Sequence, residues 1–342
     1  MRLYLHIGLP KTGSSAIQSW LSAHSEDLAK VGVTYADLVP KAKLEQISGG
    51  NGKHVVRFLG VKWHGERVTP RELTREILET YFDGESTAII SAEAMANARR
   101  PRIRQLLKVL DAAGIDVIVL AYIRSIYDHC WSGYQQMVKG AGYHHELAQY
   151  AADYPNAQVD AIRRWSSEFD QIRVMNYDSA KHALIESFVQ ACELELPAGV
   201  KTSISRVNRS LSASERSLLI EVNRQTAKRG LDFRALLANP ILYANPAAES
   251  SFVYDPRVLE ILREKYQDDV DWLNRSFLRD DPILIEPSAP PESAAVADEA
   301  VRPEVSALIG ALLDQIIDPP KFVQEQVAHS QRRGGAGRRG NE

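Results

Sequence analysis

Four short stretches of the chain are almost continuously apolar or β-branched: "RLYLHI" (2–7), "STAIISA" (86–92), "DVIVLAYI" (116–123) and "QIRVMNY" (171–177). A strand with one wet face alternates polar and apolar residues, so runs without alternation predict strands covered on both faces. Between them the period lengthens. Ala16, Ile17, Trp20 and Leu21 recur at helical spacing, and "PRELTREILETYF" (70–82) and "RIRQLLKVLDAAG" (102–114) carry apolar stripes that end at Asp-Gly or Gly. Strands alternating with helices predict a three-layer α/β/α fold around a central parallel sheet. From about 179 to 278 the pattern is mainly helical, in "ALIESFVQACEL", "SASERSLLIEVNRQTAKRG" and "PRVLEILREKYQDDVDWLNRSF", and reads as a helical completion of the same domain, 1–279. The remainder, 280–342, reads as a Pro/Ala/Ser-rich linker, one amphipathic helix over 303–317 and an unstructured Arg/Gly tail. That helix is expected to dock on its own domain or to pair two copies of the chain.

Composition narrows the class. With 342 residues, 44% hydrophobic and 25% charged, the chain can bury one large core or two modest ones. Its net charge of -3 gives no global attraction to nucleic acid or an anionic membrane, so any anion site must be local. No run approaches the roughly 20 apolar residues of a membrane helix, and the amino terminus lacks a signal-peptide cleavage pattern. Only two cysteines occur, Cys130 and Cys192, without metal spacing, which fits a reducing cytoplasm and no zinc motif.

The segment "LHIGLPKTGSSAIQSW" (5–20) runs from a strand through a Gly-bounded loop into a helix. Such a turn aims successive backbone N–H groups and the positive helix end at one point, a seat for a phosphate-like anion. Gly8 and Gly13 have the spacing of the nucleotide-binding P-loop, but Ser14 stands where the lysine belongs and Lys11 lies within the loop. Lys11 supplies a mobile charge, and Thr12, Ser14 and Ser15 supply hydroxyls. The missing lysine suits a group less charged than a γ-phosphate, such as a sulfonate esterified to a phosphate.

"PKTGSS" resembles the 5′-phosphosulfate loop of sulfotransferases that use 3′-phosphoadenosine-5′-phosphosulfate (PAPS). "VLAYIRSIYDHCWSGYQQ" (119–136) is similar to their second motif, a strand, then Arg124, then a helix carrying Ser132 eight residues on. The resemblance implies that Lys11, Thr12, Gly13, Ser14 and Ser15 hold the 5′ end of the donor, that Arg124 and Ser132 bind its 3′-phosphate, and that sulfuryl passes to a hydroxyl or amine without a metal, leaving adenosine 3′,5′-bisphosphate (PAP). By analogy the acceptor is a small molecule, glycan or glycolipid. For the base there are two candidates: Glu93, at the end of the second strand, and His54, after the Gly-rich stretch 49–52. Glu93 has an alternative use as an ion-pair partner of Arg99 or Arg100. His144 and His145 are expected to point apart towards solvent. The Asn-x-Ser of "RVNRSLSASE" (206–215) resembles a segment of bacterial members, although a helix cap from Ser212 to Glu215 accounts for part of it. Specificity is expected from the loops 40–68 and 137–155. Two other readings stay open: a P-loop small-molecule kinase, and a nucleotide-binding protein without catalysis.

Overall fold

The structure is a computed structural model, described here for residues 1–36, 50–61, 68–202, 210–230, 251–288 and 309–310. Its elements run β1 (Arg2–His6), α1 (Ser14–Ala23), α2 (Ser25–Ala29), β2 (Val33–Thr34), α3 (Lys53–Leu59), α4 (Pro70–Glu76), a π-helical turn (Ile77–Phe82), β3 (Thr87–Ser91), a 3-10 turn (Glu93–Asn97), α5 (Arg100–Ala112) and β4 (Asp116–Ile123). Then come α6 (Ile126–Gly140), α7 (Leu147–Asp153), α8 (Ala157–Ser166), β5 (Ile172–Asn176), α9 (Tyr177–Ala180), α10 (Leu184–Ala191), α11 (Ala213–Lys228) and α12 (Pro256–Phe277). The fold class is the expected one, α/β with a parallel sheet flanked by helices.

All four expected strands form, and the short β2 adds an edge whose two residues are too few to show a period. The sheet order is β2-β3-β1-β4-β5, every pairing parallel. Leu3 lies between Ala88 and Val117, and Leu5 between Ile90 and Val119, so β1 is central. Leu3, Leu5 and Ile7 are fully buried, each worth roughly 1.5 to 3 kcal/mol of hydrophobic stabilisation. The chain leaves β1 towards β2 and β3 and leaves β4 towards β5, which puts the topological switch point between the carboxyl ends of β1 and β4. Open α/β sheets hold their ligands at such a point.

The chain divides into two compact units. One comprises 1–132, 150–208 and 255–290 and contains the sheet; the other comprises 133–149, 209–254 and 291–342. The expected single helical completion is therefore split, with α12 belonging to the sheet unit. In the second unit Ser212 and Glu215 form the anticipated capping box on α11, and the Asn223 side chain donates to the carbonyls of Val138 and Tyr143.

The boundary at 279 moves. Residues 280–288 are an extended strap on the sheet unit, with Ile283 and Ile285 nearly fully buried. Asn274 brackets Ile283 through its amide, and Asn176 donates to Asp281 and to the Pro282 carbonyl. The Pro and acidic residues that read as a linker hide two alternating apolar anchors. The amphipathic helix over 303–317, apart from Ile309 and Gly310, and the Arg/Gly tail lie outside the described residues. Among the described residues no helix is long and apolar enough to cross a membrane.

Candidate functional site

The loop after β1 is built by three local constraints. Gly8 has no side chain because a Cβ there would sit 3.1 Å from the Glu93 Cα and 3.1 Å from the Ser14 Oγ, so the loop lies directly on the turn after β3. Gly13 is left-handed (φ 79°) and packed against Leu184 and Tyr177, where a Cβ would meet the Leu184 Cδ2 at 2.4 Å. Lys11 is also left-handed (φ 64°), a conformation that costs a non-glycine residue about 1 to 2 kcal/mol. The Thr12 and Ser14 hydroxyls both donate to the Leu9 carbonyl, at 2.7 and 3.0 Å, and so brace the loop. Ser15 is half-buried at the start of α1. No side chain caps α1; the Ala16 N–H is taken by the Gly13 carbonyl at 2.9 Å, which leaves the Ser14 and Ser15 amides to the hollow in front of the helix.

Across Gly8, Lys11 and Glu93 lie near enough to feel each other's charge. Both are solvent-accessible, yet surrounding protein shifts each towards neutrality. Burial pushes the Lys11 ammonium below its ordinary value and the Glu93 carboxyl above its own, and each is partly restored by the charge of the other. Of the two alternative partners for Glu93, Arg100 pairs instead with Glu168 at 2.6 Å. A carboxylate with raised affinity for protons beside an ammonium with lowered affinity is an arrangement suited to proton transfer next to an anion.

Arg124 stands at the end of β4. Its NH1 approaches the Lys11 carbonyl at 3.5 Å, so the two basic corners adjoin. Its NH2 lies 3.2 Å from Asp128 and 3.3 Å from Asp178, and the Tyr177 ring packs 5.3 Å from the guanidinium. Two carboxylates thus neutralise much of the charge that the motif offers to a phosphate. The Nε is buried and has no partner among the described residues, and remains as a donor. The amino end of α6 is closed as well: Ile126 and Tyr127 donate to the Leu284 and Ile285 carbonyls of the strap, at 3.1 and 3.0 Å. Of the two helix starts at the switch point, α1 is open and α6 is sealed. Ser132 lies half-buried on α6, about two helical turns from Arg124.

His54 is not brought to this hollow. It faces Glu76 at 3.5 Å and the Tyr81 hydroxyl at 3.4 Å, and burial lowers its pKa. The reason lies three residues earlier. Asn51 uses its side-chain amide as a strand would, donating to the Ile89 carbonyl at 3.0 Å and accepting from the Ser91 N–H at 2.9 Å, which docks the Gly-rich stretch on β3 and turns α3 away. His144 and His145 do not point apart: they lie in the irregular stretch before α7, ring centroids 4.3 Å apart. Of the two expected specificity loops, 137–155 is described, whereas 40–49 and 62–67 of the first, and Asn208, lie outside the described residues.

Among solved structures, the chain is similar to a sulfotransferase domain from the curacin biosynthetic pathway, 10% identical, covering 77% of this chain and 96% of that one at a TM-score of 0.31. No family model and no curated protein matches the sequence. The site rests on its own residues.

Several of those residues carry no sequence signal. Asp178 follows β5 and holds both Arg124 and the Ser125 N–H, the latter at 2.7 Å. His6, the last residue of β1, is fully buried with its Nδ1 2.8 Å from the Ser91 hydroxyl, to which Gln18 also donates. Burial lowers the His6 pKa to about 4. In sequence, His6 looks like a polar interruption of a strand; only the fold shows that it floors the loop.

Proposed function

We propose that the protein is a sulfotransferase that moves a sulfuryl group from PAPS to a hydroxyl or amine, with the hollow between α1, Lys11 and Glu93 as its reaction centre. One observation carries this reading: an open helix start, a cation and a carboxyl of raised pKa converge across Gly8. The acceptor oxygen or nitrogen attacks sulfur in line as the bond from sulfur to the bridging oxygen breaks. Glu93 takes the acceptor proton. Lys11 and the first-turn amides of α1 stabilise the charge that collects on the departing 5′-phosphate, so that PAP leaves. Such stabilisation grows as the bond breaks and therefore acts on turnover more than on binding. A small-molecule or carbohydrate acceptor fits the chemistry equally, since the proposal requires only a nucleophile that reaches Glu93.

The residues fit the 5′ end of the donor well. At the 3′ end, Arg124 must read a phosphate while held by Asp128 and Asp178, through its remaining donor edge. Charge-assisted hydrogen bonds contribute about 1.5 to 3 kcal/mol each, so Arg124→Ala should weaken PAP binding roughly ten- to a hundredfold while leaving adenosine 5′-phosphate binding nearly unchanged. Calorimetric titration of both nucleotides measures this. Equal loss for the two nucleotides, or none, removes Arg124 from 3′-phosphate recognition. Transfer of labelled sulfate from PAPS to an acceptor pool tests the reaction itself, and its absence with PAP still bound favours a nucleotide-binding protein without catalysis.

A further inference from the structure

The peptide group is planar and trans, so its C=O and N–H point in opposite directions. Whatever holds the carbonyls of an anion-binding loop on one side thereby aims the following N–H groups to the other. In this loop two carbonyls are held from the same side of the sheet, that of β4 and α6. Arg124 NH1 approaches the Lys11 carbonyl at 3.5 Å, and His129 Nε2 lies 3.2 Å from the Pro10 carbonyl. His129 is on the first turn of α6, 6% exposed, and its Nδ1 is hydrogen-bonded to the hydroxyl of Tyr154, itself 3% exposed. The Tyr154 carbonyl in turn accepts from the Tyr266 hydroxyl and, at 3.1 Å, from the Lys265 ammonium.

The chemistry of the partners fixes the tautomer. A carbonyl only accepts, so Nε2 carries the proton, and Nδ1 is then the acceptor for the Tyr154 hydroxyl. Burial and the charges of Arg124 and Lys11 lower the His129 pKa to about 4, which keeps the ring neutral at neutral pH. The proposed reaction asks nothing of His129 as an acid or base, and the resemblance gives it no role although it lies within the second motif, between Arg124 and Ser132.

We propose that His129, locked as its Nε2–H tautomer by Tyr154, is a positioning residue: it holds the Pro10 carbonyl outward and so directs the Lys11 N–H into the anion seat. The left-handed Lys11 follows from this arrangement, because its own carbonyl is drawn the same way by Arg124. The inference deepens the sulfotransferase reading and rests on it for the identity of the anion, whereas the tether itself is a property of the free protein.

Two measurements separate these. On the free protein, nitrogen-15 NMR of the imidazole should show a protonated, slowly exchanging Nε2 and an unprotonated Nδ1 for His129. Tyr154→Phe, which keeps the ring and removes the hydroxyl, should mix the tautomers and shift the Lys11 and Thr12 amides. A wild-type His129 protonated at Nδ1, or loop amides unmoved in Tyr154→Phe, overturns the proposal whether or not PAP binds. In calorimetry with PAP, His129→Leu should weaken binding about tenfold, and His129→Gln, whose Nε2–H reaches the same carbonyl, should restore it to within about threefold of wild type. The donor KM should follow these shifts, with kcat changing less. Equal PAP affinity in wild type and His129→Leu overturns the inference and spares the donor reading; a wild type that binds no PAP overturns the donor reading and leaves the tether to the NMR result.

Discussion

Lys11 and Glu93 show how two ordinary side chains are perturbed on either side of a glycine. Burial moves each away from its ordinary value, and the charge of the other opposes that shift. As a base, Glu93 works when deprotonated, so kcat should fall as pH drops through a value above the usual carboxylate range. Glu93→Gln should abolish that limb and reduce kcat by about a hundredfold or more, the usual scale for a lost general base. Lys11→Met, which removes the cation that lowers the Glu93 pKa, should move the limb further towards neutral pH. A kcat–pH profile of the three proteins tests both signs, and an unshifted limb in Lys11→Met would show that the pair is not coupled. Lys11 and Ser14 could be named from the sequence because strand, glycine and helix signals surround them, and Arg124 through the resemblance of its motif. Asp128, Asp178 and His129 could not, since their meaning depends on which strand ends lie side by side.

At the scale of elements, the strands were legible because double-sided burial forbids alternation, and the helix start at Ser212 because a cap is local chemistry. The open and closed states of α1 and α6 were not, because the closing carbonyls come from residues more than 150 positions later. Beneath α1, the ring of His6 ends β1 between Tyr122 and Phe188, in edge contact with both. Its pKa falls from 6.5 to about 4 on folding. A depressed pKa means that the folded state favours the neutral ring. The stability it contributes is therefore complete above about pH 6.5, declines as pH falls and is gone near pH 4. The shift corresponds to at most about 3 kcal/mol. Urea unfolding midpoints should thus drop between pH 7 and pH 4.5, and less so in His6→Leu; an equal drop in both would place the acid sensitivity elsewhere, with His129 the next candidate, as its pKa is lowered to a similar value.

For the whole molecule, composition gave the class and periodicity gave the sheet, but the limits of the folded unit were misread. Pro, Ser and acidic residues after Arg279 have a linker's composition, and only Ile283 and Ile285, two apolar positions among them, betray a packed strap. Folding of the sheet unit then depends on residues well past α12. Ile283→Asp, which forces a charge into a site 2% exposed, should lower the thermal midpoint by several degrees or more, as expected for an unpaired buried charge. Leu284→Asp, at a neighbouring residue 53% exposed, should leave it within a degree or so. Matching midpoints for the two variants would show that the strap contributes nothing to the fold.

The strap also acts as a stopper. By spending its carbonyls on the first amides of α6, it leaves the switch point with one open helix start instead of two. Prising it loose would therefore do more than soften the protein: on the proposed reading, it would bare a second helix start to free phosphate, and titrations would begin to count two ions per chain.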